Sequence, residues 1–243
     1  MSKRLRLVQC LLWFPMHMCL IAFLVTLSLK LSGSTMSWYR TMVPLWLMEA
    51  LLIWFVLVIK SVTYKIWGVL SVLSFALWTA LLAVRLEDTG DLSWWGVMTP
   101  FWIFLALINV VRREKRKTDY DNYSKGKKVF EVGFSNLVAS LAVFSVLQTL
   151  VMSGAAQISW TLRFIPLFYY IFVCLFTLFS MWQQENFDYT QSILGLIAAF
   201  LILLYFKGNN NMLPYSSVML IPVYILEIVI FFTIFTKRMT KHF

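Results

Sequence analysis

Eight stretches of this chain run for about 20 residues with apolar side chains on every face, and that constrains the fold more than any other feature. They fall at roughly 9–31, 43–60, 66–86, 96–112, 129–152, 160–182, 190–206 and 216–236. A helix that is hydrophobic all round belongs in a large core or in lipid. A chain of 243 residues, 60% of them hydrophobic, has too little polar surface to wrap eight such helices in water. Runs such as LLIWFVLVI (51–59) and LIAAFLILLYF (196–206) lack the alternation that a membrane barrel strand requires. The three cysteines, Cys10, Cys19 and Cys174, all lie inside apolar runs. No disulfide framework or metal-ligand spacing is visible, so they read as small packing residues. The amino end, MSKRLR before a long apolar run, imitates a signal peptide, but the run is too long for one and is expected to stay as a helix.

A ten-residue phrase recurs. SWYRTMVPLW occupies 37–46, SWWGVMTPFW 93–102 and SWTLRFIPLF 159–168, with a fainter YSSVMLIPVY at 215–224. Pro44, Pro100, Pro166 and Pro222 hold the same place in it, and Pro44 to Pro166 and Pro100 to Pro222 are both 122 residues. That spacing is what duplication of a two-hairpin half leaves behind. The expected fold is therefore all-α integral membrane, with eight transmembrane helices arranged as four pseudo-repeated hairpins. The first half is 1–118, ending in a basic loop, and the second is 119–243. All four hairpins point the same way, as parallel repeats about an axis along the membrane normal. Trp38, Trp94 and Trp160 stand six residues before their prolines, where an indole can rest at the headgroup level. Ser37, Ser93 and Ser159 are placed to cap the returning helices. Each proline then falls about two turns inside its helix and removes one backbone donor.

Basic residues set the orientation. With the spans above, one side receives sixteen of the 21 Lys and Arg, eight of them between 112 and 128. The other side keeps Lys30, Arg40, Arg85, Arg163 and Lys207 with the acids Glu87, Asp88 and Asp91. Both termini are then cytoplasmic by the positive-inside rule. The sequon at Asn122 falls in the basic loop and should stay unmodified. The net charge of +10 flanks hydrophobic spans and contains no nucleic-acid-binding module. The partners expected are the bilayer, other integral membrane proteins, and anionic lipid against 112–128.

Two acids lie within the spans, Glu49 and Glu227, each five residues after its motif proline. Leu105 and Ile171 take that place in the two middle hairpins. An intramembrane carboxylate is costly by a few kcal/mol and faces the protein interior, a partner or water. Glu49 and Glu227 could pair with the outer-end bases Lys30 and Lys207, line a polar path for ions or lipid headgroups, be satisfied by a second protein, or fix helix packing. Lys30, Arg85 and Lys207 end outgoing helices and are candidates for the outer mouth or for snorkelling to headgroups. The third hairpin lacks a base there and offers Arg163 near its proline instead. Asn109, Asn136 and Gln148 are expected to act as interhelical glue. His17 and His242 have no nucleophile or metal partner at usable spacing, so no catalytic residue, cofactor or metal is assigned.

The basic-Leu-acidic turn, Ser-Trp opening and Pro-x-aromatic helix of VRLEDTGDLSWWGVMTPFWIF (84–104) resemble the transmembrane Fragile-X-F family of small multi-pass proteins. SLKLSGSTMSWYRTMVPLW (28–46) fits with Ser32 in place of the acid. The resemblance implies a polytopic protein of the endomembrane system, linked to signalling or calcium-handling partners, and some members carry an acid at the place of Glu49 and Glu227. No catalytic role carries over from it. The function expected is a non-enzymatic subunit, scaffold or regulator of other membrane proteins, in the endoplasmic reticulum, another endomembrane or the plasma membrane. The alternative is a lipid scramblase or small-ion or solute transporter whose polar path the two glutamates line.

Overall fold

A computed structural model describes residues 3–58, 62–118, 125–182, 197, 199–205, 222 and 225. Among them every long element is a helix: α1 (Lys3–Leu31), α2 (Trp38–Val58), α3 (Val62–Leu86), α4 (Trp94–Thr118), α5 (Lys125–Met152) and α6 (Trp160–Trp182). Five described segments are long and apolar enough to cross a bilayer, namely Phe14–Leu31, Trp38–Leu57, Lys65–Leu86, Trp94–Arg113 and Phe134–Met152. In α6 the apolar segment Trp160–Val173 is shorter. The expected span 216–236 lies outside the described residues apart from 222 and 225, and 190–206 is described at 197 and 199–205. The return helices begin at Trp38 and Trp94, earlier than the apolar stretches at 43 and 96, because a serine cap rather than the onset of hydrophobicity starts them.

The caps recur in all three described hairpins. Ser37 Oγ accepts from the Arg40 N–H at 3.3 Å, Ser93 Oγ from Gly96 at 3.1 Å and Ser159 Oγ from Leu162 at 3.4 Å. Each bond satisfies one of the orphan donors of a helix amino end. The outgoing helices end alike. Ser34 N–H reaches back to the Leu29 carbonyl, Thr89 to Val84 and Ala155 to Leu150, around a left-handed residue at Gly33 (φ 96°), Asp88 (φ 57°) or Gly154 (φ 75°). This is the Schellman closure, which turns the chain sharply after the last helical residue. Six or seven residues then suffice to reach the next helix.

Two compact units result, Met1–Asn122 and Tyr123–Phe243. In the first, α2 packs on both α1 and α3, and α3 on α4. Met42, Leu45 and Ala83 are its buried centre. A stack of Phe75, Trp78, Phe101 and Phe104, with ring centroids 4.6–6.3 Å apart, joins α3 to α4. Gly68 lets α2 approach α3, since a Cβ there would stand 2.8 Å from Val56 Cγ1. In the second unit α5 packs on α6, and the buried Phe164, Leu167, Tyr170 and Ile171 meet Leu201.

Candidate functional site

Glu49 sits on α2 five residues past Pro44 and is 2% exposed. The same place on α4 and α6, Leu105 and Ile171, is also buried, at 6% each. The face that carries these residues therefore turns inward in every described return helix, and in the first hairpin it carries an acid. Its partner is Thr79 on α3, itself 1% exposed, whose Oγ1 donates to Glu49 Oε1 at 3.1 Å. The Trp46 indole N–H donates to the same Thr79 oxygen at 3.2 Å, and the Ala76 carbonyl lies 2.9 Å from it. Glu49 is thus closed into a small network of one hydroxyl and one indole between α2 and α3. Among the described residues no ion pair joins Glu49 to Lys30, one of the alternatives open to that acid, and on the surface Arg85 pairs with Asp88 at 3.8 Å. The lysine is held elsewhere.

Lys30 Nζ stands 5.4 Å from the centre of the Trp38 ring, Arg85 lies 5.3 Å from that of Trp94, and Arg163 4.9 Å from that of Trp160. A cation over an indole contributes about 0.5–1 kcal/mol at such exposed levels. Each motif tryptophan thus has a basic residue over it, and Arg163 fills the place left by the base missing from the third turn. Arg163 also donates from Nη1 to Gln148 Oε1 at 2.8 Å, which joins α5 to α6. Asn109 behaves otherwise than expected. Its Nδ2 bonds the Leu105 carbonyl one turn back in its own helix, at 3.2 Å, because a short amide finds that carbonyl before it can reach a neighbour.

At the turn end of the first unit the two hairpins are tied together. The Trp38 backbone N–H donates to Glu87 Oε2 at 2.7 Å, and the Tyr39 and Thr89 hydroxyls meet at 2.8 Å. A carboxylate from the α3–α4 turn therefore satisfies an orphan donor at the amino end of α2. The prolines lie inside α2, α4 and α6, and the helices run through them. Pro44 frees the Arg40 carbonyl. The cross-helix donor at this level, Thr26 Oγ1, reaches the neighbouring Thr41 carbonyl at 3.1 Å. In the second unit, Trp160 Nε1 donates to the Tyr205 carbonyl at 3.0 Å. Pro222 is helical and buried, whereas Lys207 and Glu227 lie outside the described residues.

Thr79 and Glu87 are the participants that the sequence did not single out as partners. Thr79 gave one signal, a polar residue within an apolar run, but threonine is common there because it can bond its own helix backbone.

Helices that cross a bilayer repeatedly, with tryptophan and a base at the opening of each return, define an integral multi-pass helical membrane protein. The chain belongs to the transmembrane Fragile-X-F protein family, whose model matches residues 84–236. The match starts in the last turn of α3, ahead of Trp94 and Pro100. Glu49 precedes it and Glu227 falls inside it. Comparison with curated proteins and with solved structures returns no match.

Proposed function

We propose that the protein is a non-enzymatic membrane subunit or scaffold that holds other integral membrane proteins, in the endomembrane system, with both termini cytoplasmic. Its body is eight spans in four hairpins. A shared packing register supports this repeat. Met42, Leu45 and Leu82 in the first unit's cluster stand 122 residues before Phe164, Leu167 and Leu204 in the second's, the same interval that separates the prolines.

The observation that carries the scaffold reading is the enclosure of Glu49. A carboxyl that lines a route for ions or headgroups needs water or substrate beside it, whereas Glu49 is 2% exposed and bonded to Thr79. Such an acid fixes helix packing. In the second unit Ile171 and Leu201 take the places of Glu49 and Thr79, 122 residues on, and pack in one apolar cluster. The station therefore serves packing whether it is polar or apolar.

Reconstitution into vesicles tests this directly. Lipid scrambling and ion flux are expected to stay at the level of protein-free vesicles, both for the parent chain and for Glu49→Gln. Flux that the parent supports and Glu49→Gln removes would establish the transport alternative. Purification from native membranes in mild detergent should bring other integral membrane proteins with the parent chain in fixed proportion, and their absence counts against a scaffold.

A further inference from the structure

The helix α4 is a ruler. It opens at Trp94, whose indole belongs at one headgroup layer and is covered there by Arg85. It then runs unbroken to Thr118, past Arg113, where its apolar segment ends. Residues 112–117, RREKRK, place five bases and one acid 18 to 23 residues beyond Trp94. At 1.5 Å per residue that is about 27–35 Å, against a hydrocarbon core of about 30 Å and a headgroup layer of several Å beyond it. The backbone that carries these residues therefore reaches the opposite phosphate layer.

The bases of α5 lie further along the chain from the apolar segment of their own helix, which begins at Phe134. Lys125, Lys127 and Lys128 are 24 to 27 residues from Met152, where that helix ends, or about 36–40 Å. The backbone that carries them lies six to nine residues before that apolar segment.

We infer that the carboxyl end of α4, residues 112–117, is a binding site for anionic phospholipid headgroups, and that the bases of α5 are not part of it. Charge carries the choice of occupant, since each base close to an anionic leaflet contributes about 1 kcal/mol, or roughly fivefold in partition. The helix end adds to it, because the last carbonyls of α4 favour cations in that turn. An extended loop would let the bases leave the interface. A helix continuous with the span cannot. The physiological leaflet follows from the cytoplasmic orientation proposed above, whereas binding itself does not depend on it.

The test uses the full chain in vesicles of phosphatidylcholine and phosphatidylserine in a four-to-one mixture, both leaflets alike, with roughly 0.1 M salt so that the Debye length is about 10 Å. Lipid retained through detergent exchange is quantified by mass spectrometry. The parent chain is expected to retain phosphatidylserine enriched about threefold or more over the bulk mixture. Lys115→Gln, Arg116→Gln and Lys117→Gln together should remove most of that enrichment, and salt near 0.5 M should weaken it in the parent. Lys125→Gln, Lys127→Gln and Lys128→Gln together should leave it in place. An unenriched parent overturns the site. So does loss of enrichment in the α5 variant with retention in the α4 variant. Retention of nucleic acid or an acidic protein in place of serine lipid, when the chain is drawn from native membrane, also overturns it. Labelling that put the end of α4 on the non-cytoplasmic side would remove the orientation and leave the vesicle result standing.

Discussion

Thr79 serves three groups through one hydroxyl: it accepts from Trp46 and shares its proton between Glu49 and the Ala76 carbonyl. How it reaches Glu49 follows from helix direction. Glu49 is eleven residues, about 16 Å, inward from the start of α2, and Thr79 is seven, about 10 Å, inward from the end of α3. Side chains lean towards the amino end of their helix, so the glutamate leans outward and the threonine inward, and the gap closes. Thr79→Val removes the one polar partner the structure gives that acid. It is expected to destabilise the protein by about 1–2 kcal/mol, read as a lower thermal midpoint in detergent. Glu49→Gln keeps an oxygen acceptor and should cost less than half as much. Equal losses for the two would mean that the Thr79 bond does not hold the acid. Glu49 itself stands out in the sequence as an acid in an apolar run. Thr79 does not, because its partner lies 30 residues away on another helix.

Among the elements, three outgoing helices stop by the same backbone device and three return helices start by the same serine, although the loops between share little sequence. The left-handed residue is Gly33, Asp88 or Gly154. Alanine at Gly33 or Gly154 introduces a Cβ into that conformation and should lower stability by about 1 kcal/mol. At Asp88 the β-carbon is already there, so Asp88→Ala should change the thermal midpoint far less than Gly154→Ala does. A second prediction concerns the contact of α2 with α3. Gly68→Ala brings a methyl against the stiff Val56 side chain and should destabilise by about 1–3 kcal/mol, with Val56→Ala restoring part of the loss. Additive losses in the double variant would show that the two residues do not meet. The serine and proline places could be read from the sequence, since a cap and a missing donor act within one turn. The helix starts at Trp38 and Trp94 could not be read from hydropathy alone, because the first turn is amphipathic and belongs to the headgroup level.

For the whole molecule, the length of α4 constrains topology. Twenty-five residues span about 37 Å, more than the hydrocarbon core, so the acidic turn at 87–92 and the basic end at 112–118 should emerge on opposite faces. Single cysteines at Asp91 and at Thr118, in a chain whose own three cysteines are replaced, are expected to react with an impermeant thiol reagent from opposite sides of sealed vesicles. Labelling of both from one side would overturn this topology. By itself, the sequence determined the class of protein, the family and the places of the capping serine and the proline in the return helices. Those depend on transfer into lipid and on hydrogen bonds within a few residues, and both are written along the chain. The tertiary structure alone decided which partner closes Glu49, that Glu87 caps a helix of the other hairpin, and that the bases at the turns stand over the motif tryptophans. These contacts depend on which faces of two helices meet and at what depth. Helix rotation and side-chain direction set that, and an apolar run that is hydrophobic on every face does not reveal it.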